Sequence, residues 1–224
     1  MTNIVEAPLR AKTRIYILGL QIKEVSRMNW KNYDEVKEAL RIKLIPVEGN
    51  EDMLEQIPHR TYEDIAMIYI KEIYASSSGE RAYATFTNAD MEIYGVTAEQ
   101  VYEDAMEAEN AQAYLCSIGQ MLGGIEQISG AGLYCVTTGD HCGAWAIFKP
   151  GAMKAFARSM KCDGYYILPS SIHEMLLFPD KSLSVQELKQ MVVEVNATAV
   201  DPKDKLTDSV YYYDCETDSF RKVA

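Results

Sequence analysis

The stretch YYILPSSIHEMLLFP, Tyr165 to Pro179, carries the most distinctive local pattern in the sequence. Two short apolar runs, residues 165–168 and 175–178, flank a polar Ser-Ser-Ile-His-Glu segment, and a proline follows each run. Short aromatic and β-branched runs bounded by proline and serine are typical of strands separated by a turn. We therefore predict two strands joined by a polar connection.

The residues that follow this stretch predict a helix and then a strand. Ser184 precedes Glu187 by three residues, which is the spacing of a capping box, and an apolar stripe continues to about Asn196. The Tyr-rich run from Val210 to Asp214 is typical of a closing strand. The last ten residues are expected to be a polar tail or an edge hairpin.

Toward the N-terminus the sequence predicts further helices and strands, with hairpins rather than long crossovers. We expect a strand or arm at 14–22, a helix from Asn32 to Leu44, a short helix at 51–56, strands at 64–72 and 81–86, a helix at about 98–113 opened by a Thr97 capping box, strands at 133–137 and 143–148, and a helix from Pro150 to Met160.

This order of elements predicts an α+β fold, with antiparallel or mixed sheets and helices packed on one face. If the chain forms two lobes, we expect an arm or strand at 1–29, an N-terminal lobe at 30–118, a glycine-rich bend at 119–132 and a C-terminal lobe at 133–224. A single domain is the alternative, because no low-complexity linker divides the chain.

Composition and charge restrict the location and partners of the protein. The net charge of −11 repels phosphate backbones and anionic lipids, so we expect neither direct nucleic-acid binding nor membrane binding. No apolar run is long enough to span a bilayer, and no secretory signal is recognisable. Five scattered cysteines without a Cys-x-x-Cys pair are typical of reduced thiols, so the predicted location is the cytoplasm.

Eight groups of residues form a distinctive series of motifs along the chain. They are Lys43–Ile45, Asn50 with Leu54 and Ile57–Arg60, Asp64–Ala66, Gly95–Thr97 with Ala105 and Asn110, Gly143–Ala144, Leu168–Glu174, Val192–Asn196 and Leu206–Tyr211. In this order the motifs resemble the uncharacterised clostridial domain-of-unknown-function family 5688. The resemblance covers residues 30–214 approximately, whereas residues 1–29 do not look like that family's longer N-terminal region. It implies a bacterial, cytosolic origin and no particular reaction or ligand.

The Ser-Ser-Ile-His-Glu segment is also the candidate catalytic site. Ser170 or Ser171 could act as a nucleophile with His173 as base, because either serine can share a face with the imidazole, and a carboxylate such as Glu174 or one from elsewhere could orient the ring. The nucleophile elbow of the α/β-hydrolases is absent. In the alternative interpretation, these polar atoms bind neighbouring main chain and the segment is structural.

No pattern in the sequence predicts a metal or a cofactor. Position 177, where a zincin helix would need its second histidine, is Leu177. His141 and Cys142 are adjacent, and neighbouring residues rarely ligate one tetrahedral ion. The glycine-rich bend has no Lys-Ser or Lys-Thr pair, so it is not a P-loop.

The remaining signals favour binding over catalysis. Fifteen tyrosines, clustered at 165–166 and 211–213, and an acidic helix at 98–113 indicate an interaction surface, although alternating tyrosines on a half-buried strand are the simpler explanation of the clusters. We therefore expect a protein partner or self-association. The alternatives are a hydrolase that uses Ser170 or Ser171 with His173, and an acidic decoy that blocks a nucleic-acid-binding protein.

Overall fold

The computed structural model describes residues 32–75, 81–108, 113–118, 132–138, 142–169, 171–179 and 182–224. The predictions for residues 1–29 and for almost all of the bend 119–132 lie outside these ranges. Within them the chain forms two antiparallel sheets with helices, which confirms the α+β class. The helices are α1 (Tyr33–Glu38), α2 (Glu51–Leu54), α3 (Asn88–Tyr94), α4 (Ala98–Ala108), α5 (Ala152–Met160) and α6 (Val185–Thr198).

The first sheet is built around one long strand. Strand β3 (Ile65–Ala75) pairs antiparallel with β1 (Leu40–Pro46), β2 (His59–Tyr62) and β4 (Arg81–Thr85). The predicted helix from Asn32 to Leu44 is therefore wrong beyond Glu38. Residues 40–44 alternate buried and half-buried, and pairing with β3 satisfies their backbone groups, so the two-residue period prevails over the spacing of four between apolar residues.

The second sheet contains the Tyr165–Pro179 stretch at its centre. Its strand order is β10-β9-β7-β8-β6-β5, and all the pairs are antiparallel. The two predicted strands of the stretch are confirmed, and the C-terminus closes in an edge hairpin. The strands are β5 (Tyr114–Ser117), β6 (Tyr134–Thr137), β7 (Gly164–Leu168), β8 (Met175–Phe178), β9 (Tyr211–Asp214) and β10 (Ser219–Lys222).

Residues Gly143–Phe148 form a buried 3₁₀ helix, so the predicted strand at 143–148 is wrong. Strand β6 already pairs with β5 on one side and β8 on the other, which leaves it no edge for a hairpin partner. Cys142 lies in the left-handed region with φ of 66° and turns the chain into the core. An apolar run without periodicity is compatible with either structure, and pairing decides between them.

One cluster of buried side chains extends across both sheets. It includes Leu40 and Met67 of the first sheet, Ile167 and Met175 of the second, and Trp145 of the 3₁₀ helix, which is 1% exposed. Two smaller clusters place α2 and α6 on the opposite faces of the first and second sheets. Helices thus cover both faces of each sheet, not one face. The division into lobes stays a prediction.

The capping box of α6 gives a test of local stability. Ser184 Oγ accepts the Glu187 amide at 3.3 Å, and the Glu187 carboxylate accepts the Ser184 amide at 2.7 Å, as the sequence predicts. We expect Ser184→Ala to lower the free energy of unfolding by about 1 kcal/mol, because an orphan helix amide loses its acceptor. Urea denaturation measures it, with the exposed Gln186→Ala as control. Equal midpoints for the two variants would refute the cap's contribution.

Candidate functional site

Residues 171–174, which lead into β8, form a polar turn closed by hydrogen bonds. Ser170 lies outside the described residues. Ser171 is buried, and its Oγ donates to the Glu174 carboxylate at 3.0 Å and accepts the His173 amide at 3.1 Å. The Ser171 amide donates to the Glu174 carbonyl at 3.4 Å. Within this turn, residues 171–174, the seryl proton points to a carboxylate rather than to an imidazole.

The imidazole of His173 lies between two other segments of the chain. The amide of Cys142 donates to Nδ1 at 3.2 Å, and Nε2 is 3.5 Å from Oδ2 of Asp204. Because Nδ1 accepts the Cys142 N–H, Nδ1 must have a free lone pair. The proton of the neutral ring is therefore on Nε2, which faces Asp204. The structure therefore places His173 beside Asp204, a residue that the sequence analysis missed. Nδ1, the ring nitrogen that has the lone pair and would act as the base, already accepts the Cys142 amide.

The main chain of the 171–174 turn connects three further segments. The His173 carbonyl accepts Thr137 Oγ1 at 3.0 Å, at the end of β6. The Ile172 carbonyl accepts the Ala144 amide of the 3₁₀ helix at 3.1 Å, and the Ile172 amide donates to the Asp204 carbonyl at 2.9 Å. These contacts hold the turn as a junction between secondary-structure elements.

A stability measurement tests the structural role of Ser171. We expect Ser171→Ala to lower the free energy of unfolding by about 1 to 2 kcal/mol, because the half-buried Glu174 carboxylate loses a donor and the His173 amide loses an acceptor. The urea midpoint measures this, and Gln190→Ala, at an exposed position of α6, serves as control. An unchanged midpoint for Ser171→Ala would contradict the structural role.

A group of carboxylates lies on α1, α4 and the neighbouring end of the first sheet. Five carboxylates line two hollows there, and we call this region the acidic surface. One hollow, of about 360 Å³, lies between α1 and α4, and the other, of about 350 Å³, lies between α1 and the ends of β1 and β3. Glu38 lines both. The five carboxylates belong to Glu35, Glu38, Glu72, Asp104 and Glu107.

The α1–α4 contact that shapes the first hollow is a hydrogen bond. Tyr33 donates its phenolic proton to Asp104 at 2.7 Å. Burial and this carboxylate together raise the pKa of Tyr33 well above its ordinary value, so the phenol stays protonated and the contact persists at neutral pH. Among the described residues, the carboxylates of Glu38 and Glu107 have no ion pair or hydrogen bond, so they remain available to a ligand.

The tyrosine clusters do not add to this surface. Tyr165, Tyr211 and Tyr213 are buried, while Tyr166 and Tyr212 are half-buried and pack edge to face at 5.1 Å. The simpler interpretation, alternating tyrosines on half-buried strands, therefore accounts for these clusters.

The described residues contain no group of three His, Cys, Asp or Glu side chains placed to hold a metal ion. His141 lies outside them. All five cysteines are free thiols, and burial raises the pKa of Cys135 to about 11, which keeps that thiol protonated. No helix in the described part of the chain is both long and apolar enough to cross a bilayer.

The fold and these surfaces define an α+β protein of two antiparallel sheets, with a hydrogen-bonded polar turn between two strands of the second sheet and an acidic surface on α1, α4 and the first sheet. The chain belongs to the family described as "Family of unknown function (DUF5688)", whose model matches residues 12–215. The match begins nearer the N-terminus than residue 30, so it includes residues that the motif comparison had left out. Neither a curated protein nor a solved structure matches the chain.

Proposed function

We propose that the protein acts by binding, and that its ligand is a basic segment of a partner protein held on the acidic surface. The observation that carries the proposal is the pair of open hollows that share Glu38 and combine carboxylates with small apolar residues. Ala108 lines the first hollow, and Ala39, Ala75 and the ring of Tyr74 line the second.

This combination fits lysine and arginine side chains. Each has an aliphatic stem, which packs on an apolar floor, and a cationic head, which pairs with a carboxylate at the rim. The net charge of −11 also attracts a basic partner over a distance and speeds its association. Lys37 and Arg41 border the same hollows, so a ligand must place its charges in register with the carboxylates.

A cytoplasmic location is part of this proposal. The five free thiols support it, because cysteines remain reduced in such a compartment.

The hydrolase that uses Ser170 or Ser171 with His173 is the alternative. The Ser171 hydroxyl is bonded to Glu174, and Nδ1 of His173 accepts an amide proton, which supports binding rather than serine catalysis. We expect no labelling of the protein by a fluorophosphonate probe, measured by intact mass. Labelling that disappears in His173→Ala would replace the binding proposal with the hydrolase.

Binding to a decalysine peptide tests the acidic surface directly. Isothermal titration should give saturable binding that weakens about tenfold in the double variant Glu38→Gln, Glu107→Gln, because two unpaired carboxylates are removed. The matched control, Glu51→Gln with Glu194→Gln, removes the same charge from exposed positions elsewhere. Equal weakening in both variants would show that only net charge matters and would refute the site.

Two related hypotheses are distinguished by further measurements. Self-association would appear in sedimentation as a molecular mass that rises with protein concentration and that changes in the Glu38→Gln, Glu107→Gln variant. That result would replace the basic partner with a second copy of the chain. An acidic decoy is a special case of the proposal, in which the partner also binds nucleic acid. In that case duplex DNA should compete with the protein for the partner.

A further inference from the structure

A third hollow, which shares no lining residue with the acidic surface, lies where the two sheets meet α6. Its volume is about 250 Å³, and we call it the Asp64 pocket. It is lined by Pro46, Glu48 and Asp64 from the first sheet and its turns, Lys189 of α6, the segment Lys205–Ser209 and Lys222 of β10. Three of the protein's 22 basic residues thus line one small pocket of an acidic protein.

The walls of the pocket are fixed by hydrogen bonds. Asp64 accepts Ser209 Oγ at 2.6 Å, Lys222 Nζ at 2.8 Å and the hydroxyl of Tyr211. Its pKa stays below the ordinary value, since these donors outweigh the effect of burial. Its oxygens are therefore already occupied by donors of the protein itself.

The second carboxylate in the wall is occupied in the same way. Asp208 accepts Lys205 Nζ at 2.8 Å through one oxygen and Asn196 Nδ2 at 2.9 Å through the other. Asn196 is buried, and its amide also donates to the Thr207 carbonyl at 2.9 Å, so the segment is held against α6. Both oxygens of each aspartate therefore already accept a hydrogen bond from the protein itself.

The donor capacity of the lysines is not used. Each ammonium group offers three N–H donors, and Lys205 and Lys222 each give one to an aspartate. Lys189 is half-buried, and within the described part of the chain it makes no direct ion pair, although its charge helps to lower the pKa of Asp208. Apart from the Glu48 carboxylate, the charged groups that the pocket leaves open to a ligand are therefore lysine N–H donors.

We propose that the Asp64 pocket binds a small organic anion, one with a carboxylate or a phosphate group, and that Lys189 is its principal contact. Lysine ammonium groups are point-charge donors suited to such oxyanions. The volume fits a metabolite smaller than a drug-sized ligand. The side chain of Glu48, at the exposed rim, excludes larger polyanions by repulsion.

Titration with inorganic phosphate and with succinate, at constant ionic strength, tests this proposal. We expect saturable binding of at least one anion, about tenfold weaker in Lys189→Ala and largely retained in Lys189→Arg. Lys203→Ala is the matched control, because Lys203 is an exposed lysine that does not line the pocket and is paired with Asp201. Phosphate binding alone would identify a phosphorylated ligand, and succinate binding alone would identify a carboxylate.

Two results would overturn the proposal. One is the absence of saturable binding of both anions up to about 10 mM, a range in which even weak sites respond. The other is equal anion affinity in the wild type and in Lys189→Ala, when circular dichroism shows that both proteins are folded. The Glu38 and Glu107 variant should bind the anion normally, so this test is independent of the proposed protein partner.

Discussion

Replacing Gly143 by alanine is expected to destabilise the protein by about 3 kcal/mol, because the new methyl group has no space. A Cβ at this position would lie 2.6 Å from the Thr138 amide nitrogen and 2.9 Å from the His173 carbonyl oxygen. Both are backbone atoms, one beside β6 and one in the 171–174 turn, and neither can move without breaking contacts. Urea denaturation followed by tryptophan fluorescence measures the loss.

Gly132→Ala provides the matched control for this substitution. A Cβ at Gly132 would meet its nearest neighbour, a ring carbon of Tyr134, at an ordinary distance of 3.5 Å. We expect the free energy of unfolding to change by less than about 1 kcal/mol there, because the only sizeable effect is the reduced conformational entropy of the unfolded chain. If the Gly143→Ala variant were as stable as the Gly132→Ala variant, the result would contradict the close approach of the 3₁₀ helix to the 171–174 turn.

The second large effect is expected for Asp64→Ala, at about 3 kcal/mol, since it leaves a buried hydroxyl without its acceptor. Asp64 lies between β2 and β3, and it accepts hydrogen bonds from Ser209, from Tyr211 of β9 and from Lys222 of β10. Tyr211 is fully buried. One carboxylate therefore bonds the two sheets to each other, and a double-mutant cycle with Tyr211→Phe should show strong coupling. Additive effects would contradict this.

The Asp64 carboxylate should also make the stability of the protein sensitive to acid. The pKa of Asp64 is lower in the folded protein than in the unfolded chain, because hydrogen bonds from Lys222, Ser209 and Tyr211 outweigh burial, which alone would raise it. The folded state thus favours the ionised form. This stability is present above the unfolded pKa, about 4, and is lost as the pH falls below it toward the folded value.

Urea midpoints measured between neutral pH and the acid range test this dependence. Asp64→Asn keeps a carbonyl oxygen as acceptor but cannot titrate, so its midpoint should fall less steeply on acidification than that of the wild type. Parallel curves for the two proteins would show that Asp64 does not contribute to the acid sensitivity.

Local signals predicted much of the fold. The capping box at Ser184 and the apolar stripe after it gave α6, and the runs around the Ser-Ser-Ile-His-Glu segment gave β7 and β8. Where one run fits two periods, prediction failed. Leu40 and Leu44 satisfy both helical and alternating spacing, and the run 143–148 has no period, so strand pairing and burial decided both cases.

The candidate sites depend on contacts that have no local signal. Asp64 and Tyr211 are separated by 147 positions, and Tyr33 and Asp104 by 71. The sequence identified the acidic helix and the Ser171 turn as residues of interest, but it could not place Asp204 beside His173 or the three lysines around one pocket. Such neighbours are set by the packing of the two sheets on one core.

The proposed binding of a basic segment is tested most directly by amide chemical-shift mapping with the decalysine peptide. We predict saturable shifts concentrated on α1, α4 and the adjoining ends of β1 and β3, and their loss in the Glu38→Gln, Glu107→Gln variant. Shifts spread evenly over all exposed carboxylates, or equally strong in that variant, would contradict a defined docking surface.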